Sequence, residues 1–337
     1  MRFQRDTARA AVIYLLACAA VLIASPRTSL SQKRGGAFEP PSPLKGAEDK
    51  PIAIGTDLVS LQVSVTDKEG RFAPGLDRGA FAVYEDGVRQ EISFFSDRDA
   101  PAAVGIVLDV SGSMTGAKIM RAREALARFI RTSHEEDEYF LIGFNERPQL
   151  LMEGARGSEA MLARISGIRP QGATALYDAV AFGIEQVERS RLNKRALIVI
   201  SDGEDNRSRL DSGDVKRMLR EAGITVYTIL IGPLLPRSNA GMVMDELASA
   251  SGGKSYFPGN AEKMSEAFEQ IALELRRQYS IGYTPSNFVT DGKWRRVEVK
   301  VTPPPGFPRL VARNRKGYYA LGHALVGRGS AAALSQP

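Results

Sequence analysis

An alternation of apolar runs and amphipathic stretches over residues 101–279 constrains the fold of this chain more than any other feature. The run AVGIVLDV at 103–110 is apolar up to its acid, as expected of a strand buried on both faces of a parallel sheet. The segment AKIMRAREALARFIRT at 117–132 places apolar residues at helical spacing, which predicts a helix packed on that sheet. Because the same order repeats along the chain, we expect an α/β domain with an open, mainly parallel sheet flanked by helices.

Strand-like patterns without a helical period lie on both sides of this region. In residues 56–98, apolar side chains occupy every second position from Val59 to Val65, and FAVYEDGVRQEISFFS predicts two further strands about an Asp-Gly turn. Residues 280–320 contain more strand-like stretches between turn residues. We expect an N-terminal and a C-terminal β unit, either separate or paired into one small sandwich.

The first residues have the order of a secretory signal. Three arginines precede an apolar run at 10–24, and small polar residues follow. The run is shorter than the ~18–20 apolar residues that cross a bilayer. We therefore predict a signal peptide over 1–31, cleaved after Ser31 or alternatively after Ala24, and a secreted, periplasmic or cell-envelope protein without a membrane span in its mature form. The rival interpretation is an uncleaved N-terminal anchor.

Loss of that segment changes what the composition implies. The only cysteine is Cys18, so a mature protein would have no disulfide, catalytic thiol or thiolate metal site. The segment carries four arginines and one aspartate, so the net charge falls from +6 to about +3. Without basic residues interleaved with aromatics, we expect no nucleic-acid binding. The Pro- and Gly-rich residues 32–55 predict a flexible linker, and 321–337 a disordered tail.

Carboxylates and hydroxyls follow the apolar strands at the points where ligands bind in open α/β sheets, outside the carboxyl ends of the strands. Two apolar strands end in an acid, and a D-x-S-x-S sequence and a Gly-containing loop that opens a helix supply hydroxyls. We expect five residues to meet at one rim: Asp109, Ser111, Ser113, Thr174 and Asp202.

This donor set predicts a site for a hard cation. Oxygen ligands suit Mg²⁺, or alternatively Mn²⁺ or Ca²⁺, and poorly suit zinc or copper. The alternation in D-x-S-x-S lets one loop turn three side chains toward one point, with Gly112 relieving crowding. Two carboxylates and three neutral hydroxyls would leave a coordination position open, which an incoming carboxylate could fill.

The pattern DVSGS at 109–113, together with Thr174 and SDG at 201–203, resembles the metal-ion-dependent adhesion site of von Willebrand factor type A domains. The resemblance covers about residues 101–279, and all five positions match. It implies a Rossmann-like domain and an ion of the Mg²⁺ type that often bridges to an acidic residue of a partner protein. The flanks are also similar to those of secreted, A-domain-related proteins of acidobacteria and similar bacteria, a likeness that supplies no ligand.

Simpler structural roles stay open for each residue. Asp109 could cap a turn, Thr174 could be a helix N-cap, and Asp202 with Gly203 is a common turn pair. Two chemical alternatives are excluded by spacing. The glycines of GSMTGAK stand one residue too close for a phosphate-binding loop, and Ser111 lacks the G-x-S-x-G frame of a nucleophile elbow.

The sequence also offers no histidine in a position suited to nucleophilic catalysis. The two histidines are His134, in a charged loop, and His323, in the predicted tail, so neither is placed to activate Ser111. We expect a binding module that grips an acidic partner group through a divalent cation, and not an enzyme. The alternatives are a metal-dependent hydrolase, an accessory subunit of an enzyme complex, and an envelope scaffold with a vestigial metal site.

Overall fold

The computed structural model describes residues 58–156, 159–203, 205–232, 238–306 and 308–320. The predicted signal, linker and tail therefore lie outside the described residues. Within the described ranges, every helix is too short or too polar to cross a membrane.

A six-stranded central sheet forms the middle of the chain. In spatial order its strands are β10 (Lys254–Tyr256), β9 (Thr225–Leu230), β8 (Lys194–Ser201), β5 (Ala102–Asp109), β6 (Glu138–Phe144) and β7 (Pro148–Ala155). All neighbours pair in parallel except β6 and β7, which are antiparallel. Every residue of β5 is buried, as the continuous apolar run predicts for a central strand.

Helices cover both faces of this sheet and bury one apolar core on each. The helices are α1 (Ala117–Thr132), α2 (Glu159–Ser166), α3 (Leu176–Glu188), α4 (Ser212–Ala222), α5 (Asn239–Ser251) and α6 (Ala261–Arg277). One core contains side chains of α1, α2 and α6, and the other those of α3, α4 and α5. The predicted α/β fold with a mainly parallel, helix-flanked sheet is confirmed.

The flanks form two further four-stranded sheets, antiparallel throughout. One has the order β13 (Val311–Arg313), β1 (Val59–Thr66), β11 (Tyr279–Tyr283), β4 (Ile92–Ser96), and the other β14 (Gly317–Tyr319), β12 (Trp294–Val301), β2 (Phe81–Glu85), β3 (Val88–Gln90). Each sheet combines strands from before and after the central region, with Val59 opposite Tyr283, for example. Their inner faces share one apolar core, so they pack as a sandwich.

One local expectation was wrong, and one strand was not predicted. The stretch at 81–96 forms three strands rather than two, because the chain leaves the β2–β3 hairpin at Glu91 and joins the other sheet. Strand β7 was not predicted, because it is an edge strand without one fully buried residue and so lacks a clear apolar alternation.

Helix α6 is joined to the sandwich through a buried carboxylate. The Glu274 side chain is 2% exposed, and its Oε1 accepts a hydrogen bond from Ser64 Oγ at 2.6 Å. The Arg313 guanidinium of β13 pairs with the same oxygen. Gln278, one residue past the helix, donates to the Tyr227 hydroxyl at 3.1 Å, while its own Oε1 is buried without a partner among the described residues.

Candidate metal centre

Two neighbouring parallel strands end together at the rim of the central sheet. The register pairs Leu108 of β5 with Ile200 of β8, so the next residues, Asp109 and Ser201, are also neighbours. Asp202 follows directly after β8. Parallel register therefore places both predicted carboxylates at the same rim.

The Asp109 side chain is fully buried and accepts two short hydrogen bonds. The Ser111 backbone N–H donates to Oδ1 at 2.8 Å, and Ser201 Oγ donates to Oδ2 at 2.6 Å. Burial raises the pKa of the Asp109 carboxyl, these hydrogen bonds oppose the rise, and the negative charge of Asp202 adds to it. The two acids are thus close enough to repel each other.

The first loop presents two hydroxyls next to Asp109. Ser111 Oγ and Ser113 Oγ are 3.0 Å apart, the former buried and the latter exposed. A short 3₁₀ turn at Gly112–Met114 shapes this loop, and the fully buried Met114 anchors it. The predicted reason for the glycine was wrong: a Cβ at Gly112 would meet the Gly172 carbonyl oxygen at 3.4 Å, an ordinary contact.

Backbone hydrogen bonds connect the first loop to the second. Gly112 N–H donates to the Gly172 carbonyl at 2.9 Å, and Gln171 N–H donates to the Val110 carbonyl at 2.7 Å. The second loop leads directly to Thr174, which is 4% exposed. Thr174 is therefore held on the same rim as Ser111 and Ser113.

Thr174 does not cap the helix that follows it. Helix α3 begins at Leu176, its N-cap is Ala175, and no side-chain capping bond forms there. The free N–H groups of the first turn donate instead to the third loop: Tyr177 to Asp205 Oδ2 and Asp178 to Ser208 Oγ, each at 3.1 Å. The capping alternative for the threonine hydroxyl therefore lacks support.

The third loop also fixes the backbone of Thr174. Thr174 N–H donates to Asn206 Oδ1, and Asn206 N–H donates back to the Thr174 carbonyl, both at 3.0 Å. Gly203 is required for this loop, since its φ is +84° and a Cβ there would stand 2.7 Å from Ala240 and Leu230. Three loops are thus bonded into one rim that carries all five predicted residues.

Asp202 is the residue with the least complete set of partners. Its Oδ2 accepts from Lys118 Nζ at 3.0 Å, across from the first turn of α1. Its Oδ1 is buried and has no hydrogen-bond partner among the residues that the structure describes. A buried carboxylate oxygen without a donor is costly unless a cation or a water satisfies it.

The sequence analysis missed two contributors to this rim. Ser201 could have been found by aligning the ends of the two strands, which puts it beside Asp109. Lys118 had a weaker signal: a lysine in the first turn of a helix opposes the helix dipole and so implies an acid nearby.

In the described ranges, no three His, Cys, Asp or Glu side chains come together as a metal-binding group. A cation at this rim would therefore take hydroxyl oxygens in addition to the two carboxylates, a combination that suits Mg²⁺.

His134 is remote from the rim. The backbone N–H of His134 donates to Asp137 Oδ2 at 3.1 Å. Asp137 Oδ1 accepts from the backbone N–H of Ala102, the first residue of β5. Asp109 is the last residue of that eight-residue strand, roughly 23 Å away at ~3.3 Å per residue. His134 cannot act on Ser111.

Comparisons with known proteins agree with this architecture. A family profile described as von Willebrand factor type A domain matches residues 104–204. An uncharacterized protein of Synechocystis sp. is 26% identical over 204 residues, covering 58% of this chain and 46% of that protein. Inter-alpha-trypsin inhibitor heavy chain H4 of Homo sapiens is 26% identical over 208 residues, covering 57% of this chain and 22% of that protein. The chain thus spans less than half the length of these relatives.

Among solved structures, the von Willebrand factor type A protein of Catenulispora acidiphila is similar to 77% of this chain and to 73% of its own chain, with a TM-score of 0.45 and 14% identity. A structure of proximal thread matrix protein 1 from the mussel byssus, described as having a zinc-occupied MIDAS motif, covers 57% of this chain and 49% of its own, with a TM-score of 0.47 and 16% identity.

Proposed function

We propose that the rim around Asp109 binds a divalent cation of the Mg²⁺ type and, through it, a carboxylate of a protein partner. The premise is that residues 104–204 match the von Willebrand factor type A domain. The single observation that carries the proposal is the buried Oδ1 of Asp202, which has no donor among the described residues although it lies beside a second buried acid. A cation would satisfy this oxygen and offset both negative charges.

The residues present fit such an ion. Asp109, Ser111 and Ser113 would supply the ligands of the first loop, Thr174 a third hydroxyl, and Asp202 a second carboxylate, directly or through water. These are hard oxygen donors, which favour Mg²⁺ and also accept Mn²⁺ or Ca²⁺. When bound, the ion would supply an open coordination position with excess positive charge, to which a partner carboxylate can bind.

The role of the chain's own residues in this proposal is to position ligands rather than to move protons. The hydrogen bonds from Ser111 N–H and Ser201 Oγ fix the Asp109 carboxylate. The bonds between the loops, at Gly172 and Asn206, fix the two flanking hydroxyl-bearing segments. Among the described residues no histidine stands near this rim, which favours binding over hydrolysis.

Calorimetric titration with MgCl₂ and MnCl₂ tests the cation site. We expect saturable binding by the wild type and none by Asp109→Ala. Asp245→Ala removes one negative charge from an exposed position on α5 and is the matched control, expected to bind like the wild type. Absence of binding by the wild type, or equal affinity of wild type and Asp109→Ala, would contradict the proposal.

A crosslinked pulldown from the native envelope and medium, with Mg²⁺ against EDTA, tests the partner. We expect proteins that are captured with Mg²⁺, lost with EDTA, and lost with Asp109→Ala. Capture that is indifferent to EDTA and to this substitution would favour a scaffold with a vestigial site. Metal-dependent turnover in a phosphoesterase and peptidase screen, abolished by Asp109→Ala, would favour the hydrolase.

We further propose that the protein works outside the cytoplasm, as the basic and apolar order of residues 1–31 indicates. On fractionation of host cells, we expect the protein in the periplasm or medium. N-terminal sequencing of this protein is expected to give Gln32 as the first residue. An intact N-terminus in the membrane fraction would instead show an uncleaved anchor.

A further inference from the structure

Lys118 is the one cationic side chain that contacts the rim within the described part of the chain. It lies in the first turn of α1, and its Nζ is 3.0 Å from Asp202 Oδ2. The lysine side chain is 31% exposed and the aspartate side chain 12% exposed. A helix N-terminus disfavours a cation, so this lysine is held there by the carboxylate rather than by the helix.

The charges at the rim do not balance without a further cation. Asp109 is a fully buried acid and Asp202 a largely buried one, and Lys118 supplies one positive charge against them. The partners of Asp109 are a backbone N–H and a hydroxyl, which are neutral. Lys118 therefore occupies one oxygen of Asp202, and the other oxygen has no partner among the residues that the structure describes.

We propose that Lys118 is the internal counter-ion of the metal-free rim, and that a divalent cation must compete with its ammonium group for Asp202. This inference rests on the proposed cation site and adds a residue that sets its affinity. The lysine stem has four flexible carbons, and a side chain that is partly exposed can withdraw its ammonium group into water. If the ammonium group withdraws, the ion pair with Asp202 is broken, and if it stays, it repels the bound cation. In both cases the affinity of the site for the cation is lower than it would be without the lysine.

The test is calorimetric titration of the purified protein with MgCl₂ and MnCl₂, comparing wild type, Lys118→Met and Lys118→Arg. Methionine keeps most of the apolar stem and removes the charge. We expect Lys118→Met to lower the Kd about fivefold, the upper end of the effect of one partly exposed charge pair. We expect Lys118→Arg, which keeps the charge, to stay within about twofold of the wild type.

Lys216→Met is the matched control. Lys216 of α4 pairs with Glu246 of α5 at 2.9 Å, and its side chain is 27% exposed. Lys216 thus resembles Lys118 in exposure and in the length of its ion pair, whereas its partner Glu246 is 54% exposed and none of the rim residues is involved. Its Kd for Mg²⁺ is expected to equal that of the wild type.

Thermal unfolding with and without MgCl₂ is the second measurement, and Lys118→Gln the second variant if the methionine protein is poorly folded. Without metal, both variants are expected to have a lower Tm than the wild type, because two acids lose their counter-ion. With Mg²⁺, both are expected to show a larger rise in Tm than the wild type, because tighter binding to the native state stabilises it more.

The outcomes separate this inference from the proposed function. Tighter binding by Lys118→Met alone supports it. Equal or weaker binding by Lys118→Met, or an equal gain by Lys216→Met, overturns the role of Lys118 and leaves the cation site standing. Absence of binding by every variant overturns both.

Discussion

Two buried carboxylate positions in this molecule, the α6–sandwich junction and the rim of the central sheet, have opposite surroundings. At the junction, Glu274 accepts from the Ser64 hydroxyl and pairs with Arg313, so one negative charge meets one positive charge. At the rim, Lys118 pairs with Asp202, Asp109 has only neutral donors, and one oxygen of Asp202 has no donor in the described structure. The carboxylate at the junction therefore has its own counter-ion, whereas the two acids at the rim have one lysine between them.

This difference indicates which acid is structural and which is available to a ligand. Removing one partner of a complete buried pair leaves an uncompensated charge, which destabilises the fold. Removing an acid from a site with excess negative charge instead relieves repulsion between the carboxylates. The fold is not destabilised, and only the binding of the ligand is lost. Stability and cation binding should therefore respond in opposite ways at the two positions.

Glu274→Ala has the largest expected effect. It leaves the Arg313 guanidinium and the Ser64 hydroxyl without their acceptor, so we expect the free energy of unfolding to fall by about 3 kcal/mol in urea titrations. Glu269→Ala on the same helix is the control, since that residue and its partner Arg128 are each 54% exposed, and we expect a change within about 0.5 kcal/mol. Equal losses in the two variants would remove the distinction between complete and exposed pairs.

Asp109→Asn should act in the other direction. The amide keeps the shape and the hydrogen bond to Ser111 N–H while it removes a buried charge beside Asp202. In EDTA we expect the free energy of unfolding to rise by about 1–2 kcal/mol, and the Mg²⁺-induced rise in Tm to disappear. A loss of stability in EDTA would show that the rim acid is structural, like Glu274.

Thr174→Val and Asp205→Ala distinguish a rim residue that binds the cation from one that caps helix α3. Asp205 accepts from a free N–H group of α3, so its removal should cost about 1 kcal/mol in chemical unfolding. Thr174 makes no such cap, so the valine variant should unfold like the wild type but bind Mg²⁺ about tenfold more weakly in calorimetry, a loss near 1.4 kcal/mol. A destabilised valine variant with unchanged Mg²⁺ affinity would make Thr174 a packing residue.

Glu138→Gln has the smallest expected effect and a defined pH dependence. Hydrogen bonds from Ser190 and Arg156 lower the pKa of Glu138 in the folded protein. The ionised form therefore stabilises the fold above the unfolded pKa near 4.5, and this contribution is lost as the pH falls through the folded value. The variant should lose no more than about 0.5 kcal/mol at neutral pH, and the difference from the wild type should vanish once the pH is below the folded pKa of Glu138. A difference that persists in acid would point to packing instead of charge.

The fold was predictable where burial leaves a pattern in the sequence. Strand β5 is buried along its whole length and reads as an apolar run, and the predicted helical stripe of α1 is buried from Ile119 to Ile130. The sandwich was less predictable, because β13 and β14 are three residues each and β13 pairs with β1, on the far side of the α/β domain in the sequence. Pairing of that kind depends on register, which the local sequence does not specify.

The five site residues were placed at one rim from strand ends and loop positions, and the structure puts them on three mutually bonded loops. Their role as metal ligands stays a prediction. The contacts that could not be predicted are those across the rim: Lys118 reaches Asp202, and Asp205 and Ser208 reach α3. These depend on side-chain conformations in the folded protein and have no spacing of their own in the sequence.

Each outer sheet contains strands from both sides of the α/β domain in the sequence, and this arrangement favours one order of folding. Strand β1 needs β11, and Ser64 bonds to a residue 210 positions later, so the sandwich closes a loop that contains the entire α/β domain. Closing such a loop through an unfolded chain is slow and entropically costly, whereas a folded domain brings its two ends together. We expect the α/β domain to fold first and to template the sandwich, with amides of β8 protected before those of β1 in pulse-labelling hydrogen exchange. During synthesis, the strands that precede the α/β domain would then stay unpaired until β11 has emerged.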